Sequence, residues 1–146
     1  MPQIVESVRI AAESGDLWRE IGAFSAVGQW HPMLAKVESE GDRAGCKRIA
    51  EARDGSRQVE RLIEFAPDQH FYRYVMDSTA MPVRHYVGEF RIEDGADRTS
   101  NVIWSANFAL KSADAAGATE TVRSFLKAGL DHLAELHGAA ALSVPR

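Results

Sequence analysis

The 146-residue sequence contains one cysteine, Cys46, which excludes an internal disulfide and any pair of thiols at metal-ligand spacing. Lys47 and Arg48 follow it, but no histidine stands with it in a nucleophile motif, so it reads as a structural thiol. No stretch approaches the roughly 18–20 apolar residues of a membrane span, and the opening MPQIVESVRI lacks the apolar centre of a secretion signal. Basic residues are not in excess. Seventeen Lys and Arg against 21 Asp and Glu give a net charge of -4, and the cations are scattered, which leaves no electrostatic footprint for nucleic acid or anionic lipid. His132 and His137 stand five apart on a helical stretch, off the i, i+4 spacing of one-face metal ligation. Repeats, low-complexity tracts and shifts of composition are also missing. From these absences we expect one domain over residues 1–146, a cytoplasmic location, a monomer or homodimer, no nucleic-acid partner, no membrane insertion, no metal and no cofactor.

What is present is globular. Hydrophobic residues make up 45% and charged residues 26%, close to the soluble average. A chain of this length can bury a large core without staples. Residues 4–12 alternate as a strand, with Ile4, Val8 and Ile10 on one face and Arg9 opposite. Ser14-Gly15-Asp16 then forms a turn in which Asp16 is placed to cap a short helix over residues 17–21, with Glu20 in support. Phe24, Val27 and Trp30 continue at helical spacing until Pro32, which disfavours helix at His31. From Met33 onward the turns Gly41-Asp42, Asp54-Gly55, Pro67-Asp68 and Asp94-Gly95 punctuate an antiparallel meander. Its last strand sets Val102, Trp104, Ala106, Phe108 and Leu110 on one face and Ser105 and Asn107 on the other. Beyond Ser112 the period turns helical, with a stripe of Val122, Phe125, Leu126, Gly129, Leu133 and Leu136. The small-residue tail over residues 138–146 is expected to fray.

One strand, two short helices, six strands and a long helix have a single economical packing. It is an α+β fold in which a curved antiparallel sheet of about seven strands wraps the C-terminal helix. A bent sheet on a straight helix leaves a gap at one end, in the size class of ligand pockets, roughly 300–1,000 Å³.

The order and spacing of several segments resemble the polyketide cyclase/dehydrase-like branch of the START-related (SRPBCC) superfamily. They are IGAFSAVGQWHPML over residues 21–34, VERL over 59–62, YRYVMDSTAMPVRHY over 72–86, VIWSANF over 102–108, and Gly129-Leu130 close to Leu133. The resemblance spans nearly the whole chain. It implies a helix-grip fold holding a hydrophobic or amphipathic small molecule, in a family that includes enzymes, carriers and sensors. The glycine-rich loop of the pollen-allergen relatives is missing, since Gly41 and Gly45 stand apart.

Strand parity nominates the pocket wall. Glu60, Leu62, Tyr72, Tyr74, Met76, Tyr86, Phe90, Trp104, Ala106 and Phe108 are all even-numbered and share a face if the hairpin connections are odd in length. Apolarity alone would turn Val59, Ile63 and Phe65 inward instead; the VERL match favours Glu60. An inward Glu60 must be paired or have its pKa raised, and Arg48 on the neighbouring strand is the expected partner. The pair is either structural or the seat of a general acid or base, with Tyr74 and Tyr86 polarising a carbonyl and His31, near the expected entrance, moving a proton. His85 is expected to point outward. Trp30 and Phe125 join the candidate ligand wall with the sheet aromatics. Gly129 costs about 1 kcal/mol in a helix, which suggests close approach by Trp104 or by ligand. The leading expectation is a binder of a hydrophobic small molecule. An enzyme of cyclisation, dehydration or isomerisation using Glu60, Tyr74 and His31 is the second, and an interaction module with a vestigial pocket the third. A module of that kind should show a filled cavity and an exposed apolar patch.

Overall fold

The computed structural model describes residues 2–112 and 115–142, the side chains of residues 115, 116 and 138–142 excepted. Seven strands and three helices follow the order β1 (Gln3–Ile10), α1 (Ser14–Ile21), α2 (Val27–Trp30), β2 (Leu34–Ser39), β3 (Lys47–Ala52), β4 (Arg57–Ala66), β5 (Phe71–Ser78), β6 (Val83–Asp94), β7 (Ser100–Leu110) and α3 (Ala115–Leu142). The strands form one antiparallel sheet in the spatial order β1-β7-β6-β5-β4-β3-β2. Five hairpins thus run in sequence, and α1 and α2 carry the chain from one edge strand to the other. α3 packs chiefly on β1 and β7 and touches α2. This is the helix-grip type of α+β fold expected from the sequence.

Local chemistry explains where the elements begin and end. α1 starts at Ser14, whose hydroxyl bonds the carboxylate of Asp94, and no side chain caps it. Asp16 is therefore not the cap the turn suggested. It sits in the first turn of α1, where a carboxylate favours the helix dipole, and pairs with Arg19. Glu20 lies in the last turn of α1 and meets His137 of α3 at 2.8 Å rather than supporting the helix start. α2 stops at Trp30, and His31 takes the extended backbone that Pro32 demands. The buried stripe of α3 is Ala118, Val122, Leu126, Leu130 and Leu133; Leu136, expected on that stripe, is 55% exposed, since at about 100° per residue it falls at the edge of this face. α3 continues through Gly138 to Leu142, and residues 143–146 of the tail expected to fray lie outside the described residues.

The parity question on β4 has a structural answer. Glu60 and Leu62 point inward, and Ile63 outward at 39% exposure. A register shift between Leu62 and Glu64 then inserts one residue, so Phe65 comes to face Tyr72 across the ladder and packs against Trp18 at 5.8 Å. The even-numbered pattern therefore holds up to Leu62, and of the apolar alternative only Phe65, beyond the bulge, turns inward. A second bulge lies on β6 between Arg84 and Val87, where His85 adopts a left-handed backbone with φ 55°. It lets Val83 and Tyr86, three residues apart, both point inward while His85 is exposed.

Candidate functional site

The inward residues nominated from sequence converge at the centre of the grip. Arg48, 1% exposed, donates from Nε to Glu60 Oε1 at 2.8 Å and from Nη1 to the Phe24 carbonyl at 2.6 Å and the Tyr72 hydroxyl at 3.1 Å. Its guanidinium lies over the Phe24 ring, 4.0 Å from the centroid. Burial works against this charge, but the Glu60 carboxylate and the oxygens of Tyr72 and Tyr74 outweigh it and hold the Arg48 pKa above its ordinary value. Beside the pair, Trp104 donates its indole N–H to the Tyr74 hydroxyl at 3.0 Å, and Tyr74 and Tyr86 share a further hydrogen bond. Burial raises the pKa of Tyr72, Tyr74 and Tyr86, so all three phenols stay protonated across the physiological range. The Tyr74 ring lies directly over Gly88 of β6, where an added Cβ would come within 2.3 Å of it.

This centre is filled rather than hollow. Leu62, Phe90, Trp104 and Phe108 are at most 1% exposed, and Trp30 stacks on Phe90 at 5.6 Å and meets Trp104 edge-on at 5.6 Å. Tyr72 stacks on Phe90 and Tyr86 on Phe108. Of the nominated residues, only Met76 and Phe125 remain half-buried. The indole nitrogen of Trp30 is the one buried side-chain polar atom among the described residues without a hydrogen-bond partner.

His31 is not at an entrance. It is 2% exposed and wedged between α2 and α3. Its Nδ1 accepts from the Met33 backbone N–H at 3.1 Å, which fixes the proton on Nε2, and Nε2 donates to the Phe125 carbonyl at 2.8 Å. The ring stacks on Phe125 at 4.1 Å between centroids. Burial lowers its pKa from 6.5 to about 4, against the opposing influence of the Phe125 carbonyl and with a small further push from His132. The same wedge explains Gly129: a Cβ there would sit 2.5 Å from His31 Cδ2 and 3.0 Å from the Trp104 ring. Trp104 was the expected neighbour; His31 was not.

Open space lies at one end of the grip. A cleft of about 260 Å³ is bounded by Met33, by Ala52, Asp54, Ser56 and Gln58 around the β3–β4 turn, by Thr79, Ala80, Met81 and Pro82 of the β5–β6 turn, and by Thr121 and Phe125 of α3. Phe125 alone was nominated from sequence. Most of the rest were missed because they sit in or beside turns, where strand parity says nothing, although Gln58 shares the parity of Glu60 and Leu62 on β4 and Thr121 lies on α3; the methionines flanking Pro32 and Pro82 were a further signal. Among the described residues no group of three or more His, Cys, Asp or Glu side chains is arranged to hold a metal, and no helix is long and apolar enough to cross a membrane.

The sheet order and the gripped helix define a class shared by many solved structures. XoxI from Bacillus cereus superposes with a TM-score of 0.87 at 24% identity, covering 94% of this chain and 96% of that one. Norcoclaurine synthase from Thalictrum flavum, solved with dopamine and hydroxybenzaldehyde, gives 0.67 at 15% identity over 99% and 89%. The di-domain ARO/CYC protein BexL gives 0.73 at 16% identity, covering 97% of this chain and 47% of its own. At these identities the likeness is one of fold. No curated protein matches the sequence. Residues 1–138 match the family profile described as polyketide cyclase / dehydrase and lipid transport, and the chain belongs to that family.

Proposed function

We propose that the protein binds a hydrophobic or amphipathic small molecule, and that it does so in the end cleft rather than in the centre of the grip. The observation that carries this reading is the cleft itself: about 260 Å³ of open space walled by Met33, Met81 and Phe125 and rimmed by a few polar groups. Methionines adapt their shape to a ligand, and Met33 is 44% exposed with nothing yet covering it. Membership of a family of cyclases and lipid-transport proteins supports the same reading.

Catalysis by Glu60, Tyr74 and His31 has less support. Glu60 is held by Arg48, the Tyr74 hydroxyl is engaged by Trp104 and Tyr86, and both ring nitrogens of His31 are bonded to backbone. None of the three lines the cleft. The interaction-module reading gains from the filled centre but has no patch behind it among the described residues, where the exposed Val5, Met33, Ile63 and Leu136 are spread over β1, the approach to β2, β4 and α3.

The test uses methyl-labelled methionine. Of the four methionines, Met33 and Met81 report on the cleft while Met76, outside its lining, serves as the internal control. Titration with 1-octanol should shift Met33 and Met81 alone, and Thr121→Trp, which fills the cleft from the exposed side of α3, should abolish those shifts. Shifts centred on Met76, or shifts that survive Thr121→Trp, would move the site elsewhere.

A further inference from the structure

The rim of the cleft bears on the kind of molecule it accepts, an inference that rests on the cleft being the ligand site. Its lining contains one charged side chain, Asp54, and no cation. Asp54 Oδ1 accepts from the Ser56 hydroxyl at 2.6 Å and from the Ser56 backbone N–H at 2.9 Å. Those two bonds hold its carboxyl below the ordinary carboxylate range, so the charge persists at any physiological pH. Both use the same oxygen, which leaves Oδ2 outside them.

Arg53 and Arg84 keep their charge but hydrogen-bond backbone carbonyls outside the lining, and Arg53 shares Met33, Ala52 and Asp54 with it as neighbours. Arg53 donates to the Pro32 carbonyl at 2.7 Å and lines an adjoining recess. Arg84 donates to the Lys111 carbonyl, and both residues border a different recess on the far side of Thr79. The positive end of the α3 dipole is confined to the first turn of the helix, whereas Thr121 and Phe125 stand in later turns.

The hydroxyl groups are committed as donors. Thr121 Oγ1 donates to the Gly117 carbonyl at 2.8 Å. Thr79 Oγ1 donates to Gln58 Oε1 at 3.3 Å while accepting the Met81 backbone N–H at 3.1 Å. What the two threonines offer a ligand is lone pairs. Among the side chains of the rim the Gln58 amide nitrogen is the donor left, against several acceptors and one carboxylate.

We infer that the cleft takes a small amphiphile whose polar end is a protonated amine, with its apolar body against Met33, Met81 and Phe125. An ammonium group brings three N–H donors and a positive charge to a rim that supplies acceptors and a negative one. A carboxylate of the same length brings the wrong charge and no donor. A lipid-transport reading would lead one to expect a fatty acid here, and this rim disfavours it.

Three probes of one chain length separate the possibilities: octylammonium, 1-octanol and octanoate, titrated against the methyl-labelled full chain. Octylammonium should bind roughly three- to ten-fold tighter than octanol at low salt, and octanoate weakest, as expected for an exposed, partly screened carboxylate. Raising the salt concentration should narrow the spread. Asp54→Asn keeps a side-chain acceptor for Ser56 and should collapse the octylammonium-to-octanol ratio towards one. Octanoate binding as tightly as octylammonium would overturn the inference, and so would a ratio that Asp54→Asn leaves intact. If octanol binds but the spread is absent, only the amine preference falls. If none of the three probes shifts Met33 or Met81, the cleft is not the site and both readings fall together.

Discussion

Acid should destabilise this protein through His31, and the burial of its imidazole sets the size of the effect. Its imidazole is neutral in the fold, 2% exposed, with Nδ1 accepting and Nε2 donating. Its folded pKa of about 4 lies below the 6.5 of an unfolded chain. Between those values the unfolded state binds a proton that the native state refuses. Stability from this group is therefore complete above about pH 6.5, falls by about 1.4 kcal/mol per pH unit on acidification, and levels off below about pH 4. The whole loss is about 3 kcal/mol, a large share of the roughly 5–15 kcal/mol that holds an ordinary domain together. Urea unfolding of the wild type and of His31→Gln at intervals from pH 7 to 4 isolates the contribution. Glutamine retains an acceptor and a donor but does not titrate, so the wild type should lose about 3 kcal/mol more than the variant over that range. In the native wild type, nitrogen NMR should show the Nε2–H tautomer persisting to about pH 5. Parallel stability profiles, or a native imidazole titrating between 6 and 7, would refute the reasoning.

Three further outcomes are expected. Gly129→Ala should destabilise the fold by about 1–3 kcal/mol in urea unfolding despite the gain in helix propensity, because the new methyl group meets His31 and Trp104 within about 3 Å. Arg48→Met should cost about 3–5 kcal/mol by leaving Glu60 buried and unpaired, whereas Arg48→Met combined with Glu60→Leu should cost clearly less than the sum of the single changes, as read from a double-mutant cycle. Tyr74→Phe should cost about 1–2 kcal/mol in the same assay, with the Trp104 indole N–H signal moving as it loses its acceptor.

The architecture was legible because its signals are periodic. Alternation on β7, the even-numbered run on β5 and the stripe on α3 each come from burial of one face, and burial is what sequence patterns record. The Arg48–Glu60 pair was legible for a related reason, since a charge forced inward needs a partner on the next strand. What escaped was everything set by an insertion or a turn. The bulge after Leu62 turns Phe65 inward although Ile63, two residues before it, faces out. The place of His31 depends on α2 and α3, which are far apart in sequence, so the expectation that it lay near an entrance failed. The cleft is built from four segments, two turns with the strand ends beside them, the approach to β2 and α3, and no periodicity links Met33, Gln58, Thr79 and Thr121.

The sheet order has a kinetic consequence. The first strand made is paired only with the last, Gln3 opposite Asn107 and Ile10 opposite Ser100, while every other ladder joins neighbours in the chain. The hairpins from β2 to β7 can zip locally as they emerge from the ribosome, but β1 must wait, its apolar face uncovered, until about a hundred residues have followed it. Docking of β1 onto β7 is then the step with the greatest loop-closure cost, and α3, which packs on those same two strands, has its full surface to cover only once both are in place.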